Sequence, residues 1–178
     1  MTQSILCVDL DGTLILTDTT QEAIWSFGRA HPFQLWKLLP WICRGRAYFK
    51  HQLGQRVILE PSLLPYHQPF LHWLKEQKAQ GSTLVLVTAS DHTFATMVAS
   101  YLGIFSEVLA SDGCVNLRAK QKAAALTRRY GFKGYDYAGN SRDDLQVWKE
   151  AQHAIVVNAS SSVKHKAQTM FVVTQVFD

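Results

Sequence analysis

The sequence of 178 residues has few cysteines, no long apolar run and little net charge. Its three cysteines are widely spaced and form no CxxC pair, which favours free thiols in a reducing cytosol over disulfides or a zinc site. No apolar run approaches the roughly 20 residues of a membrane-spanning helix. Asp9 and Asp11 lie where a secretory signal would be apolar. The net charge of +4 is too small to predict a nucleic-acid partner. We therefore expect a cytoplasmic globular protein.

Acidic residues are absent from one part of the chain. Residues 23–57 contain no Asp or Glu, but they hold six Lys or Arg and three of the five tryptophans. We interpret this part as a helical cap over residues 17–62, inserted into a core formed by residues 1–16 and 63–178. Its aromatic residues could pack a small core of the cap itself. Its basic residues could instead attract an anionic ester or adsorb to an anionic membrane surface.

Strand-like and helix-like patterns alternate along the rest of the chain. Short apolar runs rich in β-branched residues predict strands at Ser4–Val8, Thr83–Val87, Glu107–Ala110, Tyr135–Ala138, Ala154–Val157 and Met170–Val173. Helical patterns that stop before glycine lie at 69–80, 91–102 and 119–130. A capping box from Thr19 to Glu22 predicts the start of another helix. This alternation predicts an α/β, Rossmann-like parallel sheet with helices on both faces, whose ligands bind beyond the carboxyl ends of the strands.

Two carboxylates directly follow the first predicted strand, in the segment DLDGTL. In a turn, Asp9 and Asp11 can converge on one cation, and Gly12 permits a sharp turn and a close approach to a ligand. Neighbouring like charges separate the pKa values of two carboxyl groups, which suits a nucleophile beside a general acid. A surface turn is the alternative for an isolated Asp-x-Asp, but the position at a strand end favours a site.

This motif resembles the signature of haloacid-dehalogenase-superfamily phosphatases, and the resemblance continues in order along the chain. The segment LVLVT, ending at Thr88, is similar to the second motif of that family. Lys122 matches the third-motif lysine, with Lys120 as its rival, and residues 139–144 (GNSRDD) are similar to the fourth motif. The resemblance implies a Rossmann-like core with a small helical cap after the first strand, as in phosphoserine-phosphatase-like members.

The resemblance also implies a magnesium-dependent phosphohydrolase acting on a small phosphate monoester. Asp9 would be the nucleophile that forms an aspartyl-phosphate, and Asp11 the general acid and base. Thr88, Ala89 and Lys122 would bind the transferring phosphoryl group. The implied ligands of Mg²⁺ are the side chain of Asp9, the backbone carbonyl of Asp11, and Asn140 and Asp144.

The fourth motif departs from the family pattern at its second residue. The family usually has Asp where this chain has Asn140, whose neutral amide oxygen would hold magnesium more weakly. Asp143 or Asp144 could take over part of the coordination, or the domain could have lost activity. Asp144 could also have a structural role, as the acid of a capping box begun by Ser141.

A second resemblance concerns the partners. Residues 43–46, 137–141 and 156–159 are similar to phosphatase-like domains fused ahead of intramembrane prenyltransferases. This implies a lipid-linked or isoprenoid phosphate as substrate. It also implies contact between the basic cap and a membrane protein or the inner face of a membrane. The rival hypothesis is a catalytically weak binding domain at such a membrane.

Overall fold

The computed structural model describes residues 4–57, 59–112 and 116–178, which form an α/β fold around a six-stranded sheet. The strands are β1 Ile5–Val8, β2 Thr83–Asp91, β3 Glu107–Ser111, β4 Asp136–Gly139, β5 Ala154–Val157 and β6 Val173–Phe177. Their order in the sheet is β3-β2-β1-β4-β5-β6, and every neighbouring pair is parallel. This is the doubly wound order, in which a crevice opens at the carboxyl ends of the central strands. The predicted fold class is confirmed.

Eight α-helices connect these strands within the described residues. They are α1 Thr19–Ala30, α2 Leu38–Cys43, α3 Arg46–Gly54, α4 Gln68–Ala79, α5 His92–Leu102, α6 Lys120–Tyr130, α7 Leu145–Trp148 and α8 Ser161–Met170, with 3₁₀ helices at Pro32–Lys37 and Pro61–Leu63. None of the described helices is both long and apolar enough to cross a bilayer. Of the cysteines, Cys7 and Cys43 are free thiols, and Cys114 lies outside the described residues.

The central strands are buried on both faces. Side chains alternate along a strand, so Leu84 and Leu86 of β2 pack in one apolar cluster with α4 and α5. Val85 and Val87 pack in a second cluster with α6, α7 and α8. Burial on both faces produces a continuous apolar run rather than an alternating one, which is why the sequence predicts β2 clearly.

Residues 19–57, here called the helical insert, contribute three α-helices and a 3₁₀ helix between β1 and β2. Phe27 and Leu53 of the insert pack with Phe94 of α5 in a third, smaller apolar cluster. The insert is therefore anchored to the helix that follows β2. The predicted cap boundaries at residues 17 and 62 remain a prediction.

The aromatic residues of the insert only partly form an internal core. Phe27 is buried, and Trp41 and Phe49 pack partly against the same cluster. Trp25 and Phe33, by contrast, are exposed. The interpretation that all these aromatic side chains fill a core of the insert is therefore wrong for the exposed ones.

Several predicted element boundaries are wrong, including the end of β2, which reaches Asp91 and not Val87. The last strand, expected at Met170–Val173, runs instead over Val173–Phe177, because α8 continues to Met170. The N-cap of α1 lies one residue before the start of the expected capping box. Asp18 is the N-cap of α1, and its side chain accepts hydrogen bonds from the backbone N–H groups of residues 20 and 21. The hydroxyl of Thr19 points instead to Ser90, at 2.7 Å.

Candidate active site

A cavity of about 530 Å³ lies at the carboxyl ends of the central strands, below the helical insert. Five predicted site residues line it: Asp9, Asp11, Ala89, Lys122 and Asp144. The insert contributes Thr20, Gln21, Ile42, Phe49 and Lys50 to the same cavity. Thr88 and Asn140 are not among the described residues that line the cavity; Thr88 is buried, and Asn140 packs against Gly12. The fold thus brings residues from four sequence motifs to one place.

A chain of buried hydrogen bonds crosses the floor of this cavity. Lys122 donates from Nζ to Oδ1 of Asp9 and to the hydroxyl of Tyr137, both at 2.8 Å. The Tyr137 hydroxyl in turn donates to Oδ1 of Asp144 at 2.8 Å. Lys122 is only 4% exposed, whereas its rival Lys120 is exposed. Lys122 is therefore the lysine that reaches the first carboxylate.

The pKa values of the groups in this chain of hydrogen bonds depend on burial and on neighbouring charges. Burial raises the pKa of Asp9 to about 7, and Asp144 and Asp11 act in the same direction while Lys122 opposes them. Burial acts to lower the pKa of Lys122, but the carboxylates of Asp9 and Asp144 outweigh it and raise that pKa. Burial, followed by Asp144 and Asp9, raises the pKa of Tyr137 well above its ordinary value. The lysine therefore stays charged and the phenol stays protonated at neutral pH.

Asp11 is held by the first residue of α1 and by the end of β2. The backbone N–H of Thr19 donates to its Oδ1 at 2.7 Å, and the Ser90 hydroxyl donates to its Oδ2 at 2.5 Å. Thr88 makes a longer contact of 3.4 Å to the same Oδ2, and its hydroxyl accepts from the backbone N–H of Ser90. Sequence reasoning missed Ser90, although its place two residues after Thr88 on the same strand was a usable signal.

Asp144 organises the loop that follows β4. Its Oδ2 accepts hydrogen bonds from the backbone N–H groups of Asn140 and Ser141, at 3.0 and 2.8 Å, and from the Ser141 hydroxyl at 2.8 Å. A Cβ atom on Gly139 would lie 2.6 Å from Cγ of Asp144, so glycine permits this close approach. The expected contact between Ser141 and Asp144 is present, but Ser141 does not cap α7, which begins at Leu145.

Asn140 packs against the turn of the first motif. Gly12 has φ +74°, and a Cβ atom there would lie 2.2 Å from Nδ2 of Asn140. The Asn140 amide therefore lies against Gly12, the residue that follows Asp11. The backbone carbonyl of Asp11 is a predicted magnesium ligand. Asp143, the alternative ligand, pairs with Arg118 at 2.5 Å.

The oxygen atoms of the cavity can be compared with the ligands that magnesium prefers. Leu10 N–H and Lys122 both donate to Oδ1 of Asp9, and within the described residues no donor lies on its Oδ2. No three His, Cys, Asp or Glu side chains group closely enough to hold a metal in the part of the chain that the structure describes. The Asp9 carboxylate, with neutral amide and carbonyl oxygens nearby, fits Mg²⁺, which uses one or two carboxylates and keeps several waters.

Helix α3 of the helical insert meets the end of β2 at three points. Lys50 donates from Nζ to the carbonyl oxygen of Ala89 at 3.3 Å, and Nδ1 of His51 lies 3.0 Å from Oδ2 of Asp91. A Cβ atom on Gly54 would lie 2.4 Å from Oδ1 of Asp91. The sequence identifies Lys50 only as one of six cations, because nothing local indicates which of them faces the core.

Comparisons with known proteins agree with this arrangement. Residues 6–149 match the sequence profile of haloacid dehalogenase-like hydrolases. The uncharacterized protein y4nM of Sinorhizobium fredii (strain NBRC 101917 / NGR234) is 34% identical over 152 residues. The match covers 85% of this chain and 29% of that relative, so the chain spans less than a third of the relative's length.

Solved structures share the fold. A protein of unknown function from Bordetella pertussis Tohama I has a TM-score of 0.72 at 16% identity, over 100% of this chain and 99% of that chain. Phosphoserine phosphatase with bound substrate has a TM-score of 0.65 at 15% identity, covering 97% and 93% of the two chains. Its phospho-aspartyl intermediate analogue has a TM-score of 0.65 at 14% identity, covering 99% and 94%. With the profile match over most of its length, this chain belongs to the haloacid dehalogenase-like hydrolase family.

Proposed function

We propose that this domain is a phosphatase that hydrolyses a small phosphate monoester through an aspartyl-phosphate on Asp9. The observation that carries this proposal is the pair formed by Asp9 and Lys122 at the floor of the cavity. Lys122 and the Leu10 N–H both bind Oδ1, which leaves Oδ2 as the proposed attacking atom. A buried ammonium beside a nucleophilic carboxylate offsets the negative charge that a phosphate ester brings.

Magnesium, when held by Asp9, the carbonyl of Asp11 and Asn140, would supply further positive charge for the approach of the phosphate dianion. We propose that Asp144 does not coordinate it directly. Four hydrogen bonds from protein donors already use both oxygens of the Asp144 carboxylate. Its role is to hold the loop that presents Asn140.

Asp11 is the proposed general acid and base. In the first step, Oδ2 of Asp9 bonds to phosphorus while the bond from phosphorus to the leaving oxygen breaks, and Asp11 protonates that oxygen. In the second step, Asp11 takes a proton from water, which attacks phosphorus and releases inorganic phosphate and the free Asp9 carboxylate. The contacts from Thr19 and Ser90 fix the direction of the Asp11 carboxyl group.

Thr88 and Ala89 remain the proposed contacts of the phosphoryl group, together with Lys122. Ala89 lines the cavity, whereas the Thr88 hydroxyl is hydrogen-bonded inside the site. We therefore propose that Thr88, besides this contact, shapes the end of β2. The substrate class is a small phosphate ester, and the lipid-linked or isoprenoid ester stays a prediction.

The test is magnesium-dependent turnover of p-nitrophenyl phosphate by the 178-residue chain and by Asp9→Asn. We expect Asp9→Asn to lower kcat by more than about a thousandfold, since it removes the nucleophile. The control is Asp136→Asn, which makes the same change at the other end of the sheet, where Asp136 pairs with His153. Mass spectrometry of acid-quenched enzyme should detect phosphate on Asp9.

Equal turnover by wild type and Asp9→Asn would overturn the proposal. Absence of turnover and of a phosphorylated peptide at saturating magnesium would also overturn it, and would favour the rival of a binding domain without catalysis.

A further inference from the structure

The helical insert exposes large apolar side chains to solvent. Phe33 is 93% exposed, Trp25 69% and Leu39 67%. Trp36 and Ile42 are also mostly exposed. They belong to α1, the 3₁₀ helix Pro32–Lys37 and α2, which pack against one another, so the exposed side chains occupy neighbouring elements. A patch of large exposed apolar side chains usually marks an interaction site, whereas a single exposed apolar residue is ordinary.

Basic residues accompany these apolar side chains. Arg29 of α1 and Arg44, the residue after α2, are exposed, and residues 23–57 contain no acidic residue. The rest of the chain carries more acidic than basic residues. The insert is therefore a positive region on a molecule that is otherwise slightly negative, and its exposed face combines tryptophan, phenylalanine, leucine and arginine. We call Trp25, Arg29, Phe33, Leu39 and Arg44, with Trp36 and Ile42, the insert surface.

The insert surface borders the mouth of the catalytic cavity. Ile42 belongs to both, because it is exposed and also lines the cavity. Gln21 lines the cavity as well, and it lies one helical turn before Trp25 on α1. The next residue at this spacing is Arg29, so one stripe of α1 runs from the cavity to the basic and apolar surface.

We propose that the insert surface docks on an anionic lipid bilayer. Trp25, Phe33 and Leu39 would enter the boundary between headgroups and acyl chains, while Arg29 and Arg44 contact lipid phosphates. The choice of an anionic bilayer as the partner rests on charge complementarity. A surface with exposed arginines and without acidic groups matches a sheet of negative headgroups. The proposal rests on this surface and does not depend on catalysis by the cavity.

The test is co-sedimentation of the 178-residue chain with vesicles of phosphatidylcholine alone or mixed with phosphatidylglycerol. We expect binding to the mixed vesicles that weakens at high salt, since exposed charges are screened. The double substitution Phe33→Ser and Leu39→Ser should weaken binding about tenfold or more. The matched control is Phe132→Ser with Met170→Ser, which removes two comparably exposed apolar side chains outside the insert.

Two matched arginine substitutions distinguish docking through the insert surface from general electrostatic attraction. Arg29 and Arg128 are both exposed and both lie in the last turn of a helix. Arg29→Glu should weaken binding to the mixed vesicles about tenfold or more, and Arg128→Glu much less. Thermal unfolding of each variant checks that it is folded, which exposed substitutions rarely prevent.

Three outcomes would overturn the proposal: no binding to the mixed vesicles at low salt, equal loss in insert and control variants, or equal binding to both vesicle types. Binding of an acidic protein through these residues without vesicle binding would assign the surface to a protein partner instead. Because no substrate is used, failure here leaves the proposed phosphatase untouched.

Discussion

The hydroxyl of Tyr137 donates a hydrogen bond to Oδ1 of Asp144 at 2.8 Å. The same hydroxyl accepts a hydrogen bond from Lys122, whose ammonium also contacts Asp9. Tyr137 lies on β4 and is fully buried, so the sheet fixes the position of its oxygen. One phenol therefore joins residues of the first, third and fourth motifs, and both its donor and its acceptor capacity are used.

Tyr137→Phe should impair catalysis without removing any motif residue. It leaves Oδ1 of Asp144 without its donor and Lys122 with one partner fewer. We expect kcat to fall about tenfold and the free energy of unfolding to fall by about 1–3 kcal/mol. Steady-state kinetics and urea unfolding measure both. The control is Tyr66→Phe, because the buried Tyr66 hydroxyl has no hydrogen-bond partner among the described residues. Wild-type kcat in Tyr137→Phe would contradict this prediction.

Asn140→Asp should tighten magnesium binding. A carboxylate oxygen replaces a neutral amide oxygen beside the turn at Gly12, so the attraction for a divalent cation increases. We expect the Kd for Mg²⁺ to fall about tenfold in calorimetric titration. Asn116→Asp adds the same charge elsewhere on the cavity wall and serves as the control for general electrostatics. Unchanged or weaker binding in Asn140→Asp, or equal tightening in both variants, would remove Asn140 from the metal site.

Gly54→Ala should loosen the contact between the helical insert and β2. Alanine usually favours a helix over glycine by about 1 kcal/mol, but here its Cβ would lie 2.4 Å from Oδ1 of the buried Asp91. We expect lower stability and a raised KM, because Phe49 and Lys50 of the same helix line the cavity. Urea unfolding and steady-state kinetics report these changes.

The control for that substitution is Gly28→Ala in α1. A Cβ on Gly28 would meet Cδ2 of Leu35 at 3.6 Å, an ordinary contact. This variant should gain stability from helix propensity and keep its KM. If Gly54→Ala also gained stability and kept its KM, the insert would not depend on close packing against Asp91.

A strand can be predicted from the sequence when its pattern of apolar and polar residues reflects how it is buried. β2 is buried on both faces and appears as a continuous apolar run. β6 lies at the edge of the sheet and is largely exposed, so its pattern is weak and the predicted strand ended where the real one begins. The Asp-x-Asp motif is visible because both residues follow one strand.

The contacts that complete the site join residues far apart in the chain. Tyr137 meets Lys122 across 15 positions, and Lys50 meets Ala89 across 39. Neither Tyr137 nor Lys50 differs locally from an ordinary strand tyrosine or a solvated lysine. The sequence therefore predicts the residues at the strand ends, while the fold alone determines which side chains support them.

The two described cysteines should differ sharply in reactivity. Cys7 is buried in β1, and burial raises its pKa far above the ordinary value, so almost no thiolate forms at pH 8. Cys43 is exposed at the end of α2. In a Cys114→Ser background, iodoacetamide at pH 8 should modify Cys43 in the folded protein, and Cys7 only after unfolding in urea. Peptide mapping by mass spectrometry measures both. Rapid labelling of Cys7 in the folded chain would show that β1 opens readily. Asp9, which directly follows β1, would then lack the rigid position on which the proposed chemistry depends.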